Sequence, residues 1–356
     1  MRKLSKKLLL SILSVALVFI ALGTTTFAWF SLNSEVPVTG MTVNTKVSNY
    51  LLIADDTLAN AAKKQDNLFT TSLTQTSTST LLPVSTVNGK NFFYTLNALA
   101  NGDSAEDGED AYEVYNAEEV PSPSELTSFM EAYGLNTAAV GYVDYVFQLK
   151  AVNADTSNAH DVKITKLDLF YAVPASHKSD LAKAFRVAVF AQDITSTNPT
   201  ANQSGTLKGI FAETDAANHT ENSAIGSKDA TAPATISTTA YNTVASIGTV
   251  AAGQTAYFKV VIRLYLEGED TTCKNDTYAE LTSNWSLNIN IAIETTGTLN
   301  QVTKLSKYNV ATVSSAEYFY DGTYVWNNKA NIGTETGRTA KASADSAVKT
   351  AFGITD

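Results

Sequence analysis

Apolar residues recur at every second position over long stretches of this chain, the period of a β-strand with one face on a core. In Asn284–Glu294, Trp285, Leu287, Ile289, Ile291 and Ile293 share one face, and Ser286, Asn288, Asn290 and Glu294 share the other. Ala256–Glu267 sets Phe258, Val260, Ile262, Leu264 and Leu266 against Lys259, Arg263 and Glu267. Gly141–Val152 repeats the pattern with Val143, Tyr145, Phe147, Leu149 and Ala151. Val162–Val173 alternates but changes phase near Thr165-Lys166, which predicts a bulge or a turn. Phe185–Phe190, Val36–Val47 and Phe92–Leu96 read as further strands. Asp321-Gly322, between Tyr318-Phe319-Tyr320 and Tyr324-Val325-Trp326, reads as a hairpin turn.

Helical signals are few. Ser122, Pro123 and Glu125 form a capping box with proline at the first helical position. Leu126, Phe129, Met130 and Tyr133 then share one face, and Gly134 closes the helix. Ser179–Ala184 and the Ala-rich Ala340–Phe352 are shorter candidates. The Thr/Ser-rich stretch 70–80 and the Thr/Ala/Asn-rich region 195–249 suit exposed loops and sheet edges. The pattern therefore predicts a mainly β fold, an antiparallel jelly-roll-like β-sandwich with a few short inserted helices, preceded by an N-terminal signal helix.

The start of the chain is distinct. Arg2, Lys3, Lys6 and Lys7 precede the apolar run Leu8–Leu22, and small residues follow, the layout of a secretory signal peptide. The run is about 15 residues, short of the roughly 20 that span a bilayer. Thr26 and Ala28 supply the small side chains that a signal peptidase needs, so cleavage is expected after Ala28. A retained anchor, reading on through Phe30, is the alternative. Net charge is −10 over 356 residues. Removing the four N-terminal cations takes the remainder to −14, which disfavours phosphate backbones and hence nucleic acid. With an apolar fraction of 44%, the chain has enough material for a full core.

Chemistry-bearing clusters are sparse. Cys273 is the single cysteine, so an intrachain disulfide is excluded. His160, His177 and His219 lie among polar turn-like residues, and no HExxH or G-x-S-x-G motif occurs. Asp103, Asp107 and Asp110, and separately Glu267, Glu269 and Asp270, are weak candidates for calcium, with solvated acidic loops as the bland reading. The aromatics of Tyr318–Trp326 could stack on sugars, or pack as a hairpin core. No cofactor is expected.

Thr24–Phe30 (TTTFAWF), followed by Val38-Thr39-Gly40-Met41-Thr42-Val43, resembles the N-terminus of the TasA/camelysin family of Gram-positive secreted biofilm-matrix proteins. The order of the strand candidates between about 140 and 295 also resembles that family's jelly roll. The resemblance implies cleavage at or beside Ala28 by a dedicated signal peptidase. It also implies fibre assembly by strand donation, with Val36, Val38, Met41, Val43 and Val47 on the candidate donor strand; the alternative is that this segment is the first strand of the chain's own sandwich. Camelysin carries a metalloprotease label, but no metal motif here supports transferring that activity.

The expected organisation is a signal peptide at 1–28, a β-prone segment at 29–48 and the sandwich at 49–299. A C-terminal hairpin with an Ala-rich helix follows at 300–356. The expected function is that of a secreted, non-enzymatic structural protein at the surface of a Gram-positive bacterium. It would self-associate into fibres, contact matrix or cell-wall components, and meet the membrane only through an uncleaved signal segment. A camelysin-like protease and a carbohydrate-binding or adhesin jelly roll are the alternatives. The first test is the N-terminus: sequencing of the exported protein should begin at Trp29 or within two residues of it. An intact Met1-bearing form in the membrane fraction would overturn that expectation.

Overall fold

The computed structural model describes residues 36–45, 51–56, 62–76, 80–81, 83–86, 88–94, 113–116, 139–172, 184–199, 203–212, 246–267, 285–294, 302 and 304–355. These are strands for the most part. In chain order they are β1 (Val36–Thr45), β2 (Leu51–Asp55), β3 (Ser72–Gln75), β4 (Thr80–Leu81), β5 (Pro83–Thr86), β6 (Asn91–Tyr94) and β7 (Glu113–Asn116). Next come β8 (Ala139–Val140), β9 (Tyr142–Val152), β10 (His160–Tyr171), β11 (Phe185–Asp193), β12 (Thr206–Phe211) and β13 (Gly248–Val250). Last are β14 (Thr255–Glu267), β15 (Trp285–Ile293), β16 (Ser306–Val313), β17 (Ala316–Tyr320), β18 (Tyr324–Trp326), β19 (Arg338–Ala340) and helix α1 (Ser346–Ala351).

They form two sheets. The first runs β19-β18-β17-β16-β10-β15-β1-β4-β8, with β13 also on β10 and β3 on β1. The second has β12-β11-β14-β9-β2 as its body, and β5 docks beside the end of β14 carrying β6 and β7. Both sheets contribute to one apolar core. Leu287, Ile289 and Ile291 of β15, Leu167 and Leu169 of β10, and Phe147, Leu149, Val260, Ile262 and Leu264 from the opposite sheet are all essentially inaccessible. Trp285 anchors one end, its ring stacked on Tyr171 at 4.9 Å and tilted against Phe185 at 3.9 Å.

The expected antiparallel order needs correction. β1 runs parallel to β15, β16 parallel to β10, β5 parallel to β14, and β4 parallel to β8, so the sheets are mixed. Parallel neighbours cannot be joined by a tight hairpin, and here they come from segments far apart in the chain. The expected phase change in β10 is a bulge. Its register against β15 shifts between Ile164 and Lys166. The Thr165 hydroxyl donates to the Asn290 carbonyl there, at 3.3 Å. The bulge lets Val162 and Ile164 before it, and Leu167, Leu169 and Tyr171 after it, all face the core.

A second correction concerns the polar faces. Lys259, Arg263 and Glu267 alternate with core residues on β14, which suggests a solvated side, yet all three are fully buried. The β5–β6–β7 arm and residues 62–69 cover that side of the sheet. Phe92 stacks on Tyr142 at 4.9 Å and meets Tyr265 edge-on at 5.5 Å. Arg263 satisfies the burial of its charge with two 2.7 Å bonds to Asp144 and a 2.6 Å bond to the Gly89 carbonyl. Its guanidinium also lies 4.3 Å from the Tyr142 ring centroid. Gly89 holds φ +69°, and a Cβ there would stand 2.9 Å from the Phe190 ring. Residues 62–69 are pinned separately. The Tyr257 hydroxyl donates to Asp66 at 2.7 Å, Lys150 pairs with Asp66 at 3.0 Å, and Lys63 lies over the Tyr257 ring at 4.6 Å.

The chain beyond 300 joins the first sheet. β16 pairs with β10 from Asp168↔Ser306 to Tyr171↔Asn309, so the first sheet continues directly into it. The Asp321 turn forms as the sequence predicts. Asp321 accepts from Thr323 N at 2.8 Å and from Tyr324 N at 2.7 Å, and Gly322 adopts φ +98°. Phe319 and Trp326 pack with Phe170, Tyr308 and Ile332 in a small core on the far side of the sheet. The Ala-rich helix is shorter than expected. Arg338–Ala340 is strand, Lys341–Ser343 a single 3-10 turn, and only Ser346–Ala351 is α-helical, capped by Asp345. Within the region 195–249, β12 ends the second sheet and β13 begins at Gly248. The helix expected at 122–134 lies outside the described residues, as do the signal segment at 1–28 and nearly all of 179–184.

Removing one partner of the Arg263 pair should be costly. Asp144→Ala leaves a buried guanidinium without its carboxylate, and the expected loss is about 3–5 kcal/mol in urea unfolding. Asp144→Leu combined with Arg263→Met should recover most of it. A loss below about 1 kcal/mol, the value of an exposed pair, would show that the pair is dispensable.

Candidate functional site

The candidate site is the slot that β1 fills. β1 is ten residues long and has paired strands on both sides. On one side it runs parallel to β15, with Met41↔Leu287, Val43↔Ile289 and Thr45↔Ile291 in register. On the other it is antiparallel to β3 (Met41↔Gln75 to Asn44↔Ser72) and to β4 (Val36↔Leu81, Pro37↔Thr80). Met41 and Val43 are buried in the main core beside Leu287, Ile289 and Leu81, and Leu73 packs against that core. The apolar spacing changes phase between Val38 and Met41. The register against β15 shifts at the same place, between Val38 and Gly40, so Thr39 is the extra residue of a bulge.

Pro37 suggests an edge strand, but β1 lies inside its sheet. The β15 register begins only at Val38, so the N–H that proline lacks is not required on that side. In this chain β1 completes its own sandwich. Val36 and Val38 lie on β1, and Val47 lies outside the described residues, as do Thr26 and Ala28.

β3, the short strand over β1, is held to the second sheet. Gln75 Nε2 donates to the Val146 carbonyl at 3.0 Å and to the Asp55 carboxylate. Thr70 and Ile53 exchange two backbone bonds of 2.7 Å. Leu73, Leu81 and Gln75, which form this wall of the slot, carried no signal in the sequence beyond a Thr/Ser-rich composition.

Of the calcium candidates, Glu267 is the one among the described residues. Glu267 is the last residue of β14 and is fully buried, with its N–H bonded to the Ala184 carbonyl at 2.8 Å. It is therefore not a loop ligand. Asp103, Asp107, Asp110, Glu269, Asp270 and Cys273 lie outside the described residues. Among the described residues no group of three or more His, Cys, Asp or Glu side chains is placed to hold a metal. His160 opens β10 and is half-buried, its Nε2 3.3 Å from Asp155. Hydrogen bonds from Asn158 and Ser157 hold the Asp155 carboxyl at about 2. His177 and His219 lie outside the described residues.

An open cleft of about 530 Å³ lies between β11–β12 and β13, with Gln192, Asp193, Gln203, Lys208 and Thr249 on its walls. Its floor is Phe258, over which Gly248 passes so closely that a Cβ would stand 2.1 Å from the ring. Asp193 is already engaged by Thr195 N at 2.8 Å. Thr249 donates its hydroxyl to the Asp161 carboxylate at 2.7 Å.

At the other end of the first sheet, Asp168 marks the junction with the C-terminal strands. It is almost wholly buried, and Lys166 stands 3.0 Å from it while also donating to the Ile332 carbonyl at 3.3 Å. Burial raises its pKa above the ordinary carboxylate range, against the opposing pull of Lys166, Asn288 and Lys329.

No family model matches the chain, and neither a curated protein nor a solved structure matches it.

The Asp168 carboxyl binds a proton more tightly in the folded chain than in the unfolded one. Its contribution to stability is thus complete below the ordinary carboxylate pKa and lost as pH rises through the raised value. Asp168→Asn should flatten the fall in urea midpoint that begins above about pH 4. An unchanged slope in the variant would assign the pH dependence to other groups.

Proposed function

We propose that this chain is a secreted structural protein, a non-enzymatic subunit of an extracellular fibre or matrix that assembles by exchanging β1 between neighbouring copies. The observation that carries the reading is the placement of β1. It is an N-terminal strand between two partners, it buries Met41 and Val43, and the five residues 46–50 connect it to β2 in the opposite sheet. An equivalent strand from another copy restores the same hydrogen bonds and the same burial. The two-layer β architecture supports a jelly-roll-like sandwich in the sense of the TasA/camelysin resemblance, and so does the export-type N-terminus. The carbohydrate-binding alternative draws less support, because Phe319 and Trp326 are packed into a core and do not present a stacking platform.

Purified mature protein, concentrated well above the level at which it is monomeric, should form filaments visible by negative-stain electron microscopy. An excess of a synthetic Val36–Thr45 peptide should suppress them by occupying vacated slots. A chain beginning at Ser48 should be unstable alone and regain a cooperative transition with that peptide. The loss of two core side chains, at roughly 1.5–3 kcal/mol each, and of a whole interior strand approaches the 5–15 kcal/mol of a typical domain. A truncated chain that folds unaided, together with a full-length chain that stays monomeric, would refute the reading.

A further inference from the structure

We propose that the outer edge of β3 is a contact surface for a second copy of this chain, joined edge to edge as an added antiparallel ladder. β3 bonds to β1 through one edge, and Thr71, Ser72, Thr74 and Thr76 are exposed. On the edge away from β1 the Ser72 carbonyl accepts from the Thr70 hydroxyl at 2.8 Å, and among the described residues no strand pairs with that edge. Strand edges of soluble proteins are usually protected by charge, proline or cover. Three other edges have such protection: β12 carries Lys208, β19 carries Arg338 with Lys341 next to it, and β2 is bridged by Thr70. From Phe69 to Leu82 the chain has no charged residue and no proline. Leu68, at the entry to this stretch, is 53% exposed.

A second copy is the occupant that these features favour. An antiparallel ladder between identical strands has a two-fold axis, so one short Ser/Thr-bearing edge serves as both halves of the contact. Cross-strand Thr and Ser hydroxyls are favourable neighbours. In a chain of net charge −10, an uncharged edge is where two copies approach with least repulsion. The edge is also preformed. The Thr70–Ile53 bridge and the Gln75 bonds to Val146 and Asp55 fix it to the second sheet, so pairing orders little new chain. A ladder of this length is weak between two free subunits, and it gains strength when many copies are held in a row.

The contact does not depend on exchange of β1, and the test separates the two. Sedimentation of the full mature chain is measured over a concentration series with excess Val36–Thr45 peptide, which competes for the β1 slot. The wild type should pass from monomer to dimer as concentration rises. Thr74→Lys and Ser72→Lys, both at exposed positions, should weaken that dimer at least about tenfold. Thr206→Lys on the β12 edge should leave it unchanged. Circular dichroism of each variant confirms that the sheet is retained. A wild type that stays monomeric, or a Thr74→Lys and a Ser72→Lys that dimerise like the wild type, would overturn the proposal whether or not filaments form without the peptide.

Discussion

β15 is the rail against which the first sheet is aligned. It alternates without interruption, and Trp285, Leu287, Ile289, Ile291 and Ile293 all face inward and are buried. Five such side chains are worth roughly 7–15 kcal/mol of burial at 1.5–3 kcal/mol each, an upper estimate that already matches the stability of a whole domain. A slip of one residue would turn all five to the outer face. Neither neighbour could keep its own apolar residues inward by strict alternation. β1 adjusts with a bulge at Thr39 and β10 with a bulge at Thr165, each where its spacing changes phase. The irregular strands thus take their register from the regular one.

The second sheet obeys a different constraint. β14 is buried on both faces, which normally calls for a continuous apolar run. It carries Lys259, Arg263 and Glu267 instead. The structure resolves the conflict by bringing in acceptors. Asp144 is directly opposite Arg263 in register, and the Gly89 carbonyl arrives from the turn between β5 and β6. Pairing of this kind adds little net stability over an apolar substitute, but leaving either charge alone is expensive. The charges therefore fix where the arm docks: only a turn offering a carbonyl over Arg263 is tolerated.

This difference explains how much could be read in the sequence. Period-two alternation identified β9, β10, β14 and β15 and even the β10 bulge, because the inward residues of these strands are large and apolar. The Asp321 turn was legible because its side-chain bonds are local. Which strands are neighbours was not legible, since parallel pairing of β1 with β15 or β16 with β10 joins segments with no local signal. The burial of Arg263 was hidden for the same reason: lysine and arginine on an alternating strand look solvated until a remote segment covers them. In Ala340–Phe352 composition outweighed capping. Asp345 accepts a hydrogen bond from Ala347 N, so the helix starts there, six residues later than alanine content suggests.

The β1 slot shows the same limit, and its consequence for assembly is physical. A strand that pairs with β15 in parallel must enter the slot in one direction, whichever copy supplies it. Exchange then joins the start of one subunit to the middle of another, a heterologous contact that can repeat without closing. The bonds and buried area are equal in the self-filled and exchanged states, so strand contacts alone do not favour the polymer. Five linker residues reach at most about 18 Å, and a tether that short keeps the chain's own β1 at a high effective concentration. A self-filled monomer is therefore the expected resting state on this reading. The balance must be tipped by something outside the slot, either a high local concentration of subunits or a contact made only between assembled copies.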